Sequence, residues 1–91
     1  PILLDNGDLL LVYGYRHEPY SIRACLIKGP DYDFASAQQR VLTTSLAADM
    51  GYPWAVQNDR GEIVCVYYQT NEQGLRYIEG LRFKPVELFG P

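Results

Sequence analysis

The side chains best suited to chemistry are one histidine and two cysteines, and they are scattered along the chain. His17 stands beside Glu18 in a loop-like stretch, an arrangement compatible with acid–base work, although a lone exposed histidine usually has no such role. Cys25 and Cys65 each lie inside an apolar run, a spacing that matches neither a metal motif nor a secreted disulfide framework. We therefore expect two buried thiols, no metal centre and no cofactor.

Composition limits the classes of protein to which the chain can belong. Its 91 residues carry 8 basic and 11 acidic side chains, and 47% of them are apolar, which suits one small globular unit. No apolar run approaches the roughly 18 residues of a membrane helix, so we expect no membrane span. Arg and Lys are dispersed, so nucleic acid is not an expected partner. The first residue is Pro1, which indicates a processed chain or a piece of a longer one.

The elements that position these side chains are predicted to be strands. The turn-forming stretch 5–8 contains Asn6 and Gly7 between two apolar runs, the strongest local signal for a β-hairpin. The stretch 58–61 between later apolar runs has the same design. The short helix-forming stretch 35–40 predicts a loop or a single turn.

The two hairpins belong to an internal repeat. A shift of 54 residues superimposes Gly7 on Gly61 and Leu9–Tyr13 on Ile63–Tyr67, and a shift of 56 superimposes Ile22 on Ile78. The chain is thus predicted to contain two units, residues 1–48 and 49–91, each with four strands. The predicted strands are Ile2–Leu4, Asp8–Tyr15, Tyr20–Ile27 and Arg40–Thr43, followed by Pro53–Gln57, Glu62–Gln69, Leu75–Phe83 and a weak Val86–Phe89.

The second strand of each unit is apolar on both faces, which predicts cover on both sides. Stacked four-stranded antiparallel sheets, the blades of a β-propeller, meet this requirement, and the repeat length is close to the roughly 40 to 50 residues of a blade. The fold class is therefore predicted to be all-β, with two propeller blades. A two-sheet sandwich of seven or eight strands is the competing architecture.

Several stretches carry a family resemblance. They read GYPWAVQ at 51–57, DRGEIVCVYY at 59–68 and GLRYI at 74–78, preceded by LLVYGYR at 10–16 and SIRA at 21–24. Together they resemble the last two blades of the six-bladed bacterial sialidase-like proteins with Asp-box repeats. The Ser-x-Asp-x-Gly-x-x-Thr-Trp box of that family is degraded here to IKGPDYDF at 27–34. Asp31 and Asp33 are accordingly expected to form a turn and not to ligate metal.

The resemblance implies a site for an acidic sugar. In sialidases three arginines clamp the substrate carboxylate, and a tyrosine activated by a glutamate is the nucleophile. Tyrosine suits an anionic sugar because an attacking carboxylate would repel it, and its phenol, with a pKa of about 10, needs a base. By position Tyr52 matches the nucleophile and Arg16 the third arginine, with Arg23 as second choice for binding substrate. The other catalytic groups of the family lie in earlier blades, so the chain alone is expected to be catalytically incomplete.

Other interpretations of these residues stay open. Tyr52 is one of eight tyrosines and could pack between blades, and Arg16 and Arg23 could be solvated cations at strand ends. Arg76 and its neighbour Tyr77 are interpreted as structural. Trp54 could stack on a sugar ring, although a strand tryptophan more often belongs to the core.

Three classes of function follow. The chain could be part of a sialidase-like glycoside hydrolase, a non-catalytic carbohydrate-binding module, or a self-assembling scaffold built from blades. Two blades alone would leave broad apolar faces in water, so a homo-oligomer is expected.

Overall fold

A computed structural model describes residues 1–90 and shows an all-β chain with two antiparallel sheets. The first sheet has four strands in the order β1-β2-β3-β4, and the second has three in the order β5-β6-β7. The strands are β1 Ile2–Leu3, β2 Leu9–Tyr15, β3 Ser21–Ile27, β4 Gln38–Thr44, β5 Gly51–Gln57, β6 Ile63–Thr70 and β7 Arg76–Phe83. A 3₁₀ turn spans Phe34–Ser36, and a short helix α1 spans Pro85–Phe89. No helix in the described residues is long and apolar enough to cross a membrane.

Both predicted hairpins are present, and they close in the same way. The amide of Gly7 donates to the carbonyl of Leu4 at 2.9 Å, and the amide of Gly61 donates to the carbonyl of Asn58 at 3.1 Å. Both glycines have positive φ angles, 92° and 75°. These angles are accessible to glycine without steric cost, which explains why the turn signal in the sequence was reliable here.

The strands of the two sheets pair in corresponding registers. Leu10 pairs with Leu26 in the first sheet, and Val64 pairs with Arg82 in the second. Leu10 and Val64 differ by 54 positions and Leu26 and Arg82 by 56, the same two shifts that relate the sequences of the units. The second sheet therefore repeats the strand pairing of the first.

The core lies between the two sheets, where one face of each is buried. One cluster joins Leu10, Ala24 and Leu26 of the first sheet to Ile63 and Phe83 of the second. A neighbouring cluster contains Ile22, Met50, Cys65 and Tyr67. Both cysteines are free and buried, as predicted, and burial raises the pKa of the Cys65 thiol to about 11.

The last predicted strand, Val86–Phe89, is wrong, because this segment forms helix α1. Pro85 at the first helical position has no amide hydrogen to lose and a φ angle suited to a helix. The side chain of Glu87 folds back to accept the amide of Lys84 at 2.6 Å. The second sheet consequently has three strands in place of the predicted four. Asp31 and Asp33 form turns as predicted. Asp31 lies in a turn closed by the amide of Tyr32, which donates to the carbonyl of Lys28 at 3.0 Å, and the Asp33 carboxylate accepts the amide of Ala35 at 3.0 Å and caps the 3₁₀ turn.

The expectation that the second strand of each unit is covered on both faces fails for β6. Burial alternates along β6, with Ile63 and Cys65 buried and Val64 and Val66 exposed. Trp54, expected in the core, is exposed on the adjacent strand. Two stacked open sheets are therefore what the chain itself forms, and propeller closure belongs to the proposals below.

Leu10 and Leu46 provide a matched test of where the core lies. Leu10 is 0% exposed between the sheets, and Leu46 is 70% exposed in the loop after β4. We expect Leu10→Ala to lower the free energy of unfolding by about 2–5 kcal/mol, since it leaves a cavity, and Leu46→Ala to change it by less than about 0.5 kcal/mol. Urea unfolding at low protein concentration measures both, and equal effects would contradict this location of the core.

Candidate functional site

The connection between the two sheets passes close to the end of β2, and this contact positions the candidate site. Arg16 follows β2 directly, and its Nη2 and Nε donate to the carbonyl oxygen of Met50 at 3.0 and 3.3 Å. Met50 is fully buried beneath the connection. A Cβ on Gly14 would lie 3.4 Å from the Cα of Gly51, so the two backbones approach closely here. Arg16 is thereby tied to the start of β5.

Tyr52 stands at this start in an unusual backbone conformation. Its φ angle is 46°, in the left-handed region, and it follows Gly51 with a φ of 128°. A non-glycine residue in such a region costs on the order of 1–3 kcal/mol and persists only where the surrounding structure holds it. The Tyr52 side chain is 80% exposed. The strain thus accompanies an aromatic ring that is presented to solvent.

Two neighbours define the surroundings of the Tyr52 ring. The ring stacks on Tyr68 with 5.7 Å between centroids and 28° between planes. The guanidinium carbon of Arg16 lies 5.6 Å from the Tyr52 ring centroid, within cation–π distance. The structure therefore brings together Arg16 and Tyr52, two of the three site residues predicted from the sequence.

The Asp49 carboxylate supports this site through hydrogen bonds to Arg76 and Tyr68. Its Oδ2 accepts from Nε of Arg76 at 2.7 Å, and its Oδ1 accepts from the hydroxyl of Tyr68 at 3.0 Å. These two hydrogen bonds, Arg76 first, lower the pKa of the Asp49 carboxyl below its ordinary value. The folded chain thus binds a proton at Asp49 less readily than the unfolded chain. The ionised carboxylate stabilises the fold above its ordinary pKa, and this stabilisation is lost as the pH falls through the lowered pKa.

Tyr68 links the carboxylate to the exposed ring. Burial raises the pKa of the Tyr68 hydroxyl, and the hydrogen bond to Asp49 raises it further. Tyr68 therefore stays protonated as a donor and keeps its ring beneath Tyr52. We call Arg16, Asp49, Tyr52, Tyr68 and Arg76 together the connection site.

Arg23 is not part of the connection site in this structure. Its guanidinium carbon lies 3.6 Å from the ring centroid of Tyr15, its Nε donates to Ser21 at 2.9 Å, and its Nη1 donates to Gln39 at 3.4 Å. All of these contacts lie within the first sheet or next to it. A role for Arg23 in binding substrate stays a prediction.

Sequence reasoning missed three members of the connection site: Asp49, Tyr68 and Arg76. Arg76 was interpreted as structural because it lies in the third strand of the second unit. Its partner Asp49 lies where the two repeat units join, so no motif marks it. The register that pairs Thr70 with Arg76 brings the arginine to the end of β6, where the Thr70 hydroxyl donates to the Asp49 carbonyl at 2.6 Å. Gly51 pairs with Tyr68 in the same sheet, so pairing of β5, β6 and β7 brings Asp49, two residues before β5, next to these side chains.

The connection site offers binding groups more than reactive ones. The exposed Tyr52 face can stack on the apolar face of a sugar ring, and the Arg16 guanidinium can attract a carboxylate. Within residues 1–90, no carboxylate hydrogen-bonds the Tyr52 hydroxyl, and the Asp49 carboxylate is bonded to Tyr68 and Arg76. The described residues also contain no group of three or more side chains able to hold a metal ion.

Replacing Asp49 tests the link between the carboxylate and Tyr68. We expect Asp49→Asn to lower the pKa of Tyr68, because the substitution removes the negative charge that opposes its ionisation. Phenolate absorbance measured as a function of pH gives the titration curve of the tyrosines. Subtracting the curve of the Tyr68→Phe variant isolates the contribution of Tyr68. Asp59→Asn, in the exposed turn after β5, is the control. An unchanged titration in Asp49→Asn would contradict the arrangement.

Comparison with known proteins gives a fold without a function. No protein-family model and no curated protein matches the chain. The chain is similar to a crystal structure of a protein of unknown function from Dyadobacter fermentans DSM 18053, with 41% identity and a TM-score of 0.78. The match covers 88% of this chain and 22% of the solved one. The chain thus spans about a fifth of the length of that protein, and its two-sheet arrangement recurs within a much longer polypeptide.

Proposed function

We propose that the chain forms two blades of a sialidase-like glycoside hydrolase propeller and contributes Arg16 and Tyr52 to a site for an acidic sugar. The observation that carries the proposal is the placement of the Arg16 guanidinium 5.6 Å from the exposed ring of Tyr52. These two residues were chosen from sequence resemblance, and they are neighbours across the connection between sheets. The recurrence of the unit in a longer protein supports its being part of a larger assembly.

The physical fit to an acidic sugar comes from the pairing of a ring with a fixed cation. Two donors of Arg16 are held by Met50, so the guanidinium is oriented before any ligand arrives. Preorganisation of this kind reduces the entropic cost of binding. The planar fork of arginine also suits a carboxylate better than the ammonium of lysine does.

Catalysis by this chain alone is not part of the proposal. The phenol of Tyr52 needs a base to become a nucleophile at neutral pH, and within the described residues its hydroxyl has no carboxylate partner. An acid–base group and further arginines would have to come from other blades.

Non-catalytic carbohydrate binding is the second candidate function. It is favoured by the engagement of Asp49 with Arg76 and Tyr68, which leaves the nearest carboxylate as a support for the aromatic stack. Stacking of Tyr52 on Tyr68 gives a rigid aromatic platform of the kind that sugar-binding proteins use.

Binding of N-acetylneuraminic acid tests the acidic-sugar site. We expect saturation-transfer NMR to detect weak binding of this sugar by the 91-residue chain, and weaker binding of neutral N-acetylmannosamine. Arg16→Gln should remove the preference for the acid, whereas Arg60→Gln, in the exposed turn after β5, should preserve it. Equal binding of both sugars, or equal loss in both variants, would count against the proposal.

Hydrolysis of a fluorogenic sialoside distinguishes a complete site from a partial one. We expect the chain alone to release no fluorophore above the buffer rate, because Tyr52 has no activating base. Turnover that disappears in Tyr52→Phe while Tyr77→Phe retains it would show that the site is complete, and the partial-site proposal would then fail.

A further inference from the structure

The two sheets meet through faces that are not equivalent. Leu10 of the first sheet lies in the core, and its repeat equivalent in the second sheet is Val64, which points away from the core. The second sheet instead uses Ile63, whose equivalent in the first sheet is Leu9. We call the side of Leu10 and Val64 the front of each sheet, and the side of Leu9 and Ile63 the back. Inside the chain, the front of the first sheet packs on the back of the second.

The front of the second sheet is apolar and open. Ile22 on the front of the first sheet is 0% exposed, whereas its equivalent Ile78 on the front of the second is 75% exposed. The same open face includes Val64, Val66 and Trp54, all exposed. An exposed apolar patch of this kind marks an interaction surface. The equivalent front of the first sheet is covered by the back of the second sheet. We therefore expect the open front of the second sheet to be covered by the back of another sheet.

The back of the first sheet is the matching surface. Leu3 and Val41 are exposed there, and Leu9 and Leu11 are partly buried beside them. Leu3 pairs with Leu9 and Val41 pairs with Arg23, which places all of them on the side away from the core. The chain thus carries, on its two outer surfaces, one copy of each half of its own internal interface.

We propose that a second copy of this chain docks on the open front of the second sheet through the back of its first sheet. The contact repeats the front-to-back packing already present between the two sheets of one chain. Such a contact is heterologous, so an open assembly of any length keeps one free front and one free back until a ring closes. It requires no sugar and does not depend on the proposed function.

Analytical ultracentrifugation with paired variants tests the proposal. We expect the average mass of the wild-type chain to rise from low micromolar to near-millimolar concentration. Ile78→Asp on the front and the double variant Leu3→Asp/Val41→Asp on the back should each remain monomeric. The replaced side chains are exposed in the single chain, and circular dichroism checks that each variant is folded. Leu75→Asp, an exposed apolar residue in the turn before β7, should associate like the wild type.

Mixing the front and back variants gives the decisive measurement. One variant keeps an intact back and the other an intact front, so an equimolar mixture should form a one-to-one complex of twice the monomer mass and nothing larger. A wild-type chain that stays monomeric at every concentration would overturn the proposal. Association of the wild type that mixing does not restore would also overturn it. Association of the back variant alone would overturn it too, because a front-to-front contact predicts that result.

Discussion

Apolar packing between the two sheets is the interaction on which the rest of the chain depends. Leu10, Ile22, Ile63 and Cys65 are completely buried in this interface, and each large apolar side chain buried in this way contributes about 1.5–3 kcal/mol. Neither sheet has an apolar core of its own. The first sheet therefore needs the second, and the connection between them must follow a path that allows them to stack.

That path explains the strain at Tyr52. The chain leaves the first sheet, buries Met50 between the sheets and must then turn sharply to enter β5. Gly51 and Tyr52 make this turn with positive φ angles, and the carbonyl of Met50 is capped by Arg16. The same geometry that satisfies the core thus projects the Tyr52 ring beside an arginine. Stability and the candidate site share one short segment, so a change in Met50 would disturb both.

Local patterns in the sequence were sufficient for the hairpins, for the first seven strands and for the repeat, because turn glycines and apolar runs act over a few residues. They were insufficient for α1, where Pro85 and Glu87 outweighed the apolar character of Val86–Phe89. Arg16 and Tyr52 were selected as site residues only through the resemblance to a family, and not from a local pattern. Asp49, Tyr68 and Arg76 meet through the strand register within the second sheet, which no local pattern encodes.

Strand β6 is apolar on both faces, but the single chain buries only one of them. Val64 and Val66 face water, although a strand in a sheet with one wet face usually alternates apolar with polar side chains. The equivalent strand β2 has its front buried by the second sheet, while Leu9 and Leu11 on its back are only partly buried. The same front is therefore covered in one unit and open in the other. The open copy retains the side chains of an interface, and this is the physical reason to regard the two-sheet chain as one link of a larger stack.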